Sequence, residues 1–190
     1  MAHRNTHHAL NLKKLGKSSH ALGPVNEPWQ VKLSDPALSV MTDFRDRIFF
    51  KVGANDLIDE ALKKMKHAGL RAAFVLDDAN GELQGVITAY DIMGEKPLRY
   101  LQSAGFAQHK DVQVSDIMER IEDVMVVEMH EVELATVQSV LDALQKSGCT
   151  HLPVVEGRDG KEPHLRGLFS LAKVLRLTED GRKGLMQSKA

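Results

Sequence analysis

Hydrophobic positions along the chain follow one pattern that occurs twice. Residues 58–65 carry apolar side chains at helical spacing, and a short apolar stretch follows at residues 72–76. The same pattern returns 79 residues later, where Gly148 takes the place of Gly69. A second apolar stretch, at residues 83–88, returns after 82 residues because the preceding loop is longer in the second copy. This self-similarity indicates a duplicated structural unit.

Each copy of the pattern predicts the order strand, helix, strand, strand, helix. Asn55 or Asp56 is a candidate N-cap of the first long helix, and Gly69 and Gly148 are candidate stop residues. In the first copy the predicted elements are a strand at 48–52, a helix at 56–68, strands at 72–76 and 83–88, and a helix after Thr88. In the second copy they are a strand at 124–129, a helix with the apolar stripe Leu134, Val137, Leu141 and Leu144, strands at 152–155 and 165–170, and a helix after Ser170.

The pattern divides the chain into four segments. We expect a flexible basic segment at 1–35, a first repeat at 36–105, a second repeat at 106–180 and a C-terminal tail at 181–190. Neither repeat has enough apolar surface to close a core alone, so the two must pack on each other. The sequence therefore predicts an α/β (α+β) fold of two βαββα repeats related by pseudo-twofold symmetry.

Composition excludes several classes of protein. The 190 residues contain 25 basic and 26 acidic side chains, and this balance gives no general attraction to nucleic acid. A nucleic-acid-binding arm at residues 1–33, which hold five basic residues against one acidic residue, is an alternative. No apolar run approaches the roughly 18 residues of a membrane span. Cys149 is the only cysteine, so we expect a reducing, cytoplasmic location.

Four strings then resemble those of a known family. Gly85–Asp91 fits the pattern Gly-apolar-apolar-Thr-x-x-Asp, and it follows the helical string Ala61–Gly69. The second copy supplies Gly148–Val155 and Gly167–Val174 in the same order. On these strings, residues 36–180 resemble a tandem pair of CBS domains, the arrangement called a Bateman module.

The resemblance implies a regulatory module with no enzymatic activity and no required cofactor. Its regulatory ligand would be an adenosyl compound such as AMP, ADP, ATP or S-adenosylmethionine. Such modules pair as dimers, so we expect a homodimer that contacts itself through the first helices of the repeats and signals to another, unidentified protein. A pair with degenerate ligand sites that serves only as a dimerisation scaffold is the alternative.

Thr88 and Asp91 are the candidate ligand-binding residues. A helix that begins directly after a strand suits an anion, and the Thr88 hydroxyl there can donate to a phosphate oxygen. The Asp91 carboxylate can accept hydrogen bonds from the two ribose hydroxyls. The same spacing also fits a capping box, in which the two residues bond to each other. The resemblance adds walls for the adenine ring, at Phe50, Lys51, Arg71, Ala72, Ala73, Val86 and Ile87.

The second copy departs from the first at the position of the acid. Ser170 keeps the hydroxyl of Thr88, but Lys173 replaces Asp91 and offers no acceptor to a ribose. We therefore expect one nucleotide per chain, at the cleft of Thr88 and Asp91. The second cleft is either a phosphate-binding lobe, with Ser170, Lys173 and His151 as candidate contacts, or a solvated loop. Its cations are His151, Arg158, Lys161, His164, Arg166 and Lys173. The sequence contains no familiar catalytic motif, and we predict no metal site.

Overall fold

The computed structural model describes residue 28 and residues 30–105, 108–157 and 163–178. Most of the basic N-terminal segment, the C-terminal tail and the candidate cations Arg158 and Lys161 lie outside these residues. The strands are β1 (Thr42–Asp43), β2 (Lys51–Gly53), β3 (Ala72–Leu76), β4 (Leu83–Thr88), β5 (Glu119–Arg120), β6 (Val127–Glu128), β7 (His151–Glu156) and β8 (His164–Ser170). The helices are α1 (Ile58–Ala68), α2 (Ala89–Met93), α3 (Lys96–Ala104), α4 (Val114–Ile117), α5 (Met129–Leu134), α6 (Val137–Ser147) and α7 (Leu171–Leu177), with 3-10 turns at Ala37–Ser39 and His109–Asp111.

The strands form two four-stranded sheets that each borrow an edge strand. One sheet has the order β2-β3-β4-β5 and the other the order β1-β8-β7-β6. Strand β1 opens the first repeat but pairs antiparallel with β8 of the second, with Thr42 opposite Leu168. Strand β5 opens the second repeat and pairs antiparallel with β4 of the first, with Glu119 opposite Val86. The predicted fold of two repeats with pseudo-twofold symmetry is confirmed, and this exchange joins the repeats.

The exchanged strands explain why the strings Gly85–Asp91 and Gly167–Val174 both begin with glycine. A Cβ atom on Gly85 would overlap the carbonyl oxygen of Glu119 in β5. A Cβ atom on Gly167 would lie 2.8 Å from the carbonyl oxygen of Thr42 in β1. Both contacts are tighter than a side chain allows, so glycine lets the borrowed strand approach its neighbour.

The hydrophobic cores follow the same exchange. The first core surrounds Ile58, Met65 and Ile87, and it also contains Val112 and Val114 from the opening of the second repeat. The second core forms around residues of α6, β7, β8 and α7, and it also contains Val31 and the residues Ala37, Val40 and Met41 from the opening of the first repeat. Each core is therefore completed by the chain segment that opens the other repeat.

The ends of the two long helices match the sequence in part. Gly69 and Gly148 end α1 and α6 with φ angles of 68° and 70°, as predicted for left-handed stop residues. The predicted cap of α1 by Asn55 or Asp56 is wrong, because the N-cap is Leu57 and no side chain caps it. Asp56 instead accepts hydrogen bonds from the Gly53 N–H and from Lys64.

The second repeat contains a helix that the sequence analysis missed. The predicted strand at 124–129 is only the two-residue β6, and Met129 begins α5 instead. Leu134, predicted to belong to the apolar stripe of the second long helix, ends α5 and is 86% exposed. A capping box between Thr136 and Ser139 starts α6 afresh. Helix α3, whose second residue is Pro97, was also not predicted.

Candidate functional site

Two clefts lie between the repeats and are related by the pseudo-twofold symmetry. One, of about 390 Å³, is lined by Val86, Thr88 and Asp91 and is called the Asp91 cleft. The other, of about 360 Å³, is lined by Ser170 and Lys173 and is called the Lys173 cleft. Both fall within the usual size range of small-molecule sites.

Each cleft combines one repeat's closing strand and helix with walls from the other repeat. Thr88 and Asp91 of the first repeat face residues 148–151 of the second. Phe50, Arg71 and Ala72 of the first repeat line the Lys173 cleft and not the Asp91 cleft. The sequence analysis grouped these three residues with Asp91, because the exchange of edge strands cannot be seen in the order of the repeats.

The other predicted wall residues have different surroundings. Val86 lines the Asp91 cleft. Ala73 and Ile87 are core residues that are almost fully buried. Lys51 is exposed and lines neither cleft. Strand pleating accounts for this, because neighbouring residues of a strand face opposite sides.

Thr88 and Asp91 form the capping box that their spacing allows. The Thr88 N–H and the Thr88 hydroxyl both donate to Asp91 Oδ2, at 2.8 Å and 2.7 Å. In return the Asp91 N–H donates to Thr88 Oγ1 at 3.1 Å. The single hydroxyl proton of Thr88 is therefore directed to Asp91, and the expected donation from Thr88 to a phosphate is not the arrangement found. Thr88 instead fixes the orientation of the carboxylate.

The second carboxylate oxygen of Asp91 contacts a residue that the sequence analysis missed. Lys96 Nζ lies 2.8 Å from Asp91 Oδ1, and the Asp91 side chain is 18% exposed. Both residues line the cleft, so an acceptor and a cationic donor stand side by side there. Gly94 ends α2 between them, and Lys96 reaches back from the start of α3. No helical or strand spacing relates the two residues, so only the turn between two short helices brings them together.

His151 lies between the clefts and lines both of them. Its Nδ1 is 3.0 Å from the Thr150 hydroxyl. Burial lowers the pKa of His151 to about 4; the negative charge of Asp91 acts against this, and the positive charge of Arg71 adds to it. His151 is therefore neutral at pH 7 and is not one of the cations predicted from the sequence.

The Lys173 cleft combines aromatic walls with basic side chains. Phe44, Phe50 and Phe74 line it, and the rings of Phe44 and Phe74 meet edge to face at 5.6 Å. Its basic residues are Arg71, Lys173 and Arg176. By contrast, Arg166 forms ion pairs with Asp43 and Glu156, and neither Arg166 nor His164 lines the cleft.

Lys173 and Ser170 differ in how they are held. Lys173 Nζ donates to the carbonyl oxygen of Met41 at 3.0 Å and to Thr42 Oγ1 at 3.2 Å. Ser170 is the N-cap of α7, but its side chain makes no capping bond. The lysine that replaces the acid is therefore bonded to the segment at β1, which the first repeat supplies to the second sheet. Arg71, another basic residue of this cleft, is exposed and donates to the Tyr90 hydroxyl at 3.4 Å.

Two further features are absent from the described ranges. No cluster of three or more potential metal-ligating side chains occurs there. None of the helices described is long and apolar enough to cross a bilayer.

Comparison with known proteins gives matches in family and in fold. The family model of the CBS domain matches residues 39–97 and residues 114–180. The fold is similar to that of a proposed signal-transduction protein with CBS domains from Burkholderia ambifaria (23% identity, TM-score 0.50, covering 76% of this chain and 87% of that one). It is also similar to an uncharacterized conserved protein from Pyrococcus horikoshii (22% identity, TM-score 0.52, covering 75% and 91%). A CBS-domain containing protein from Agrobacterium tumefaciens is another such structure (21% identity, TM-score 0.51, covering 73% and 93%). No curated protein matches the sequence.

Proposed function

Because this chain belongs to the CBS domain family, we propose that it is a regulatory module that binds an adenine nucleotide in the Asp91 cleft and signals to a partner protein. Membership rests on two matched stretches that together cover more than half of the chain. No required cofactor and no catalytic step belong to this proposal. A cytoplasmic location stays a prediction that rests on the single cysteine, Cys149.

The pairing of Asp91 with Lys96 carries the proposal. A ribose presents two hydroxyl donors, and Asp91 Oδ1, which has one lone pair besides the one directed to Lys96, can accept from one of them. Asp91 Oδ1 is held by Lys96, and Asp91 lines the cleft. The Lys96 ammonium can donate to a phosphate attached to the same ribose. The two chemical demands of a nucleotide are thus met within 2.8 Å of each other.

Thr88 supports this role by positioning the acid. Its two hydrogen bonds to Asp91 Oδ2 restrict the rotation of the carboxylate and leave Oδ1 toward Lys96. The capping box and the ribose contact therefore use different oxygens of one side chain. The two roles proposed for Asp91 are compatible, since neither requires the oxygen that the other uses.

The surface that we propose for dimerisation is the face of α1 and α2. A groove of about 470 Å³ runs between these helices and is lined by Leu62, Met65, Leu70, Tyr90 and Met93. Tyr90 and Met93 are 52% and 60% exposed. We propose that a second copy of the chain covers this face in a homodimer, because closed twofold pairing is the commonest way to bury such a surface.

Titration of the full chain with AMP, ADP, ATP and S-adenosylmethionine tests the proposal. We expect AMP to bind with a stoichiometry near one per chain by isothermal titration. In Asp91→Ala the affinity for AMP should fall roughly 10- to 150-fold, since hydrogen bonds to a charged group contribute about 1.5–3 kcal/mol. Asp91→Asn keeps one acceptor and should lose less.

Asp116→Ala is the matched control for that loss. Asp116 accepts from the Gln113 N–H at 2.8 Å in the capping box of α4, and it does not line the Asp91 cleft. It should lower the melting temperature and leave AMP affinity unchanged. If Asp91→Ala behaves in the same way, Asp91 is only a cap and the proposed nucleotide site is wrong.

A further inference from the structure

We propose that the Lys173 cleft binds a nucleotide whose ribose carries a phosphate on its 2′ or 3′ oxygen. This inference rests on the proposed function, since it assumes that the clefts between the repeats hold nucleotides. It assigns a different ligand class to the cleft in which the sequence lacks the acid.

Lys173 occupies the position on its helix that Asp91 occupies on the equivalent helix of the first repeat. Each is the third residue after the N-cap of a helix, which is Thr88 for Asp91 and Ser170 for Lys173. The N–H that follows Thr88 donates to the Arg71 carbonyl oxygen at 2.8 Å. The N–H that follows Ser170 donates to the Thr150 carbonyl oxygen at 2.9 Å. Because these bonds match, the two helices leave their sheets in the same way.

The exchange of acid for base reverses what the site can recognise. A carboxylate accepts from the free 2′ and 3′ hydroxyls, whereas an ammonium only donates and therefore suits phosphate oxygens. Dinucleotide-binding folds separate their ligands by the same logic, with an acidic residue for the free ribose and a basic one for the 2′-phosphate. Lys173 is therefore placed to contact a phosphate where Asp91 is placed to contact a diol.

The remaining charges of the cleft agree with a second phosphate. Arg71 and Arg176 line it together with Lys173, and no acidic side chain occurs among its described lining residues. The Asp91 cleft differs, since Glu119 lines it besides Asp91. Three basic groups around one small cavity match a bisphosphate better than a monophosphate.

The apolar walls provide for the base of the nucleotide. Phe44, Phe50 and Phe74 line the cleft from the first repeat, and Leu168 lines it from β8. Aromatic side chains stack with every nucleobase, because each base has a flat face. The hydrogen bonds of Lys173 to Met41 and Thr42 hold its ammonium group at the start of β1.

The test compares ligands of equal phosphate number. Adenosine 3′,5′-bisphosphate and adenosine 2′,5′-bisphosphate are titrated into the full chain, with ADP as the ligand that keeps a free diol. In the Asp91→Ala variant we expect one or both bisphosphates to bind at least about tenfold more tightly than ADP. Equal affinities for ADP and both bisphosphates would overturn the inference.

Variants of Lys173 test whether this residue causes the preference for bisphosphates over ADP. Lys173→Asp should remove the preference for the bisphosphates, and Lys173→Met should do the same while keeping an unbranched apolar side chain. Lys110→Asp, at an exposed lysine outside both clefts, is the charge-matched control and should leave the preference unchanged. A preference that persists in a folded Lys173→Met, as judged by its melting curve, would contradict the inference.

The two proposals fail in distinguishable ways. Loss of AMP binding in Asp91→Ala together with unchanged bisphosphate binding in Lys173→Met would support the proposed function and overturn the inference. AMP binding that survives in Asp91→Ala and is lost in Lys173→Met would place the ordinary nucleotide in the other cleft and overturn both.

Discussion

The Cα atom of Gly85 faces the carbonyl oxygen of Glu119 so closely that no side chain fits between them. The contact joins β4 of the first repeat to β5, the strand supplied by the opening of the second. It is a backbone contact, so it cannot be relieved by a side-chain rotation.

We therefore expect Gly85→Ala to destabilise the protein. The added methyl group must push β5 away from β4, and overpacking of this kind costs about 1–3 kcal/mol. Gly53→Ala is the control, because the added methyl group there would meet a side chain and not a backbone, and the Asp78 carboxylate can move at the cost of its hydrogen bonds to Asn55. Urea unfolding monitored by circular dichroism measures both variants. An equal loss of unfolding free energy in the two variants would show that β5 can move away from β4 at little cost.

Thr88 and Thr136 allow capping to be separated from ligand binding. Both are N-caps whose side chains accept from the backbone three residues later. Each change to alanine should cost about 0.5–2 kcal/mol of stability, the usual range for an N-cap. Only Thr88→Ala should also weaken AMP binding, since Thr88 orients Asp91. Melting temperature and AMP affinity are measured for both, and a Thr88→Ala variant with full affinity would contradict the positioning role.

The buried position of His151 predicts a dependence of stability on pH. Its pKa is about 4 in the folded protein against 6.5 for an ordinary histidine, so the unfolded chain binds more protons between these values. The contribution is fully present above pH 6.5 and is lost as the pH falls toward 4, by at most about 3 kcal/mol.

His151→Asn should therefore flatten the loss of stability between pH 6.5 and pH 4. Denaturant unfolding at several pH values gives the difference between the variant and the native protein. His130→Asn, at an exposed histidine, is the control and should follow the native curve. A native curve with no excess loss over His151→Asn would show that the imidazole is open to solvent.

The proposed dimer makes a prediction about Met93. It is 60% exposed and lines the groove between α1 and α2 but neither ligand cleft. Met93→Glu should place a charge in the buried contact and yield monomers, as measured by light scattering at micromolar concentration. Leu134→Glu, at a residue that is 86% exposed on the second repeat, should leave the dimer intact. A native chain that is monomeric would contradict the proposal directly.

The fold could be predicted because the two repeats carry the same residue pattern in the same order. Matched stops at Gly69 and Gly148 and matched strings at Gly85 and Gly167 fix two similar units, and both pairs occur at equivalent places in the structure. Leu134 was misplaced because apolar spacing alone extended α6 upstream, past the capping residue Thr136. A search for capping boxes would have separated α5 from α6.

The composition of the clefts could be predicted only in part. Val86, Thr88 and Asp91 share a cleft because they are neighbours on one strand and its following helix. Arg71 belongs to the other cleft because β1 and β5 cross between the repeats, and no pattern within one repeat encodes that crossing. Lys96 was missed for a local reason, since its contact with Asp91 depends on a turn at Gly94.

The exchange of edge strands also sets the order in which the protein can fold. Thr42 pairs with Leu168, so β1 has no partner until residue 168 has been synthesised. Until then, the apolar residues Val40 and Met41 remain outside the core that they will later join. Contacts between segments so far apart in sequence slow folding, because the intervening chain must be closed into a loop before they form. Part of the apolar surface of the first repeat therefore stays exposed to solvent after that repeat has been synthesised. Chains in this condition associate with one another or with a chaperone.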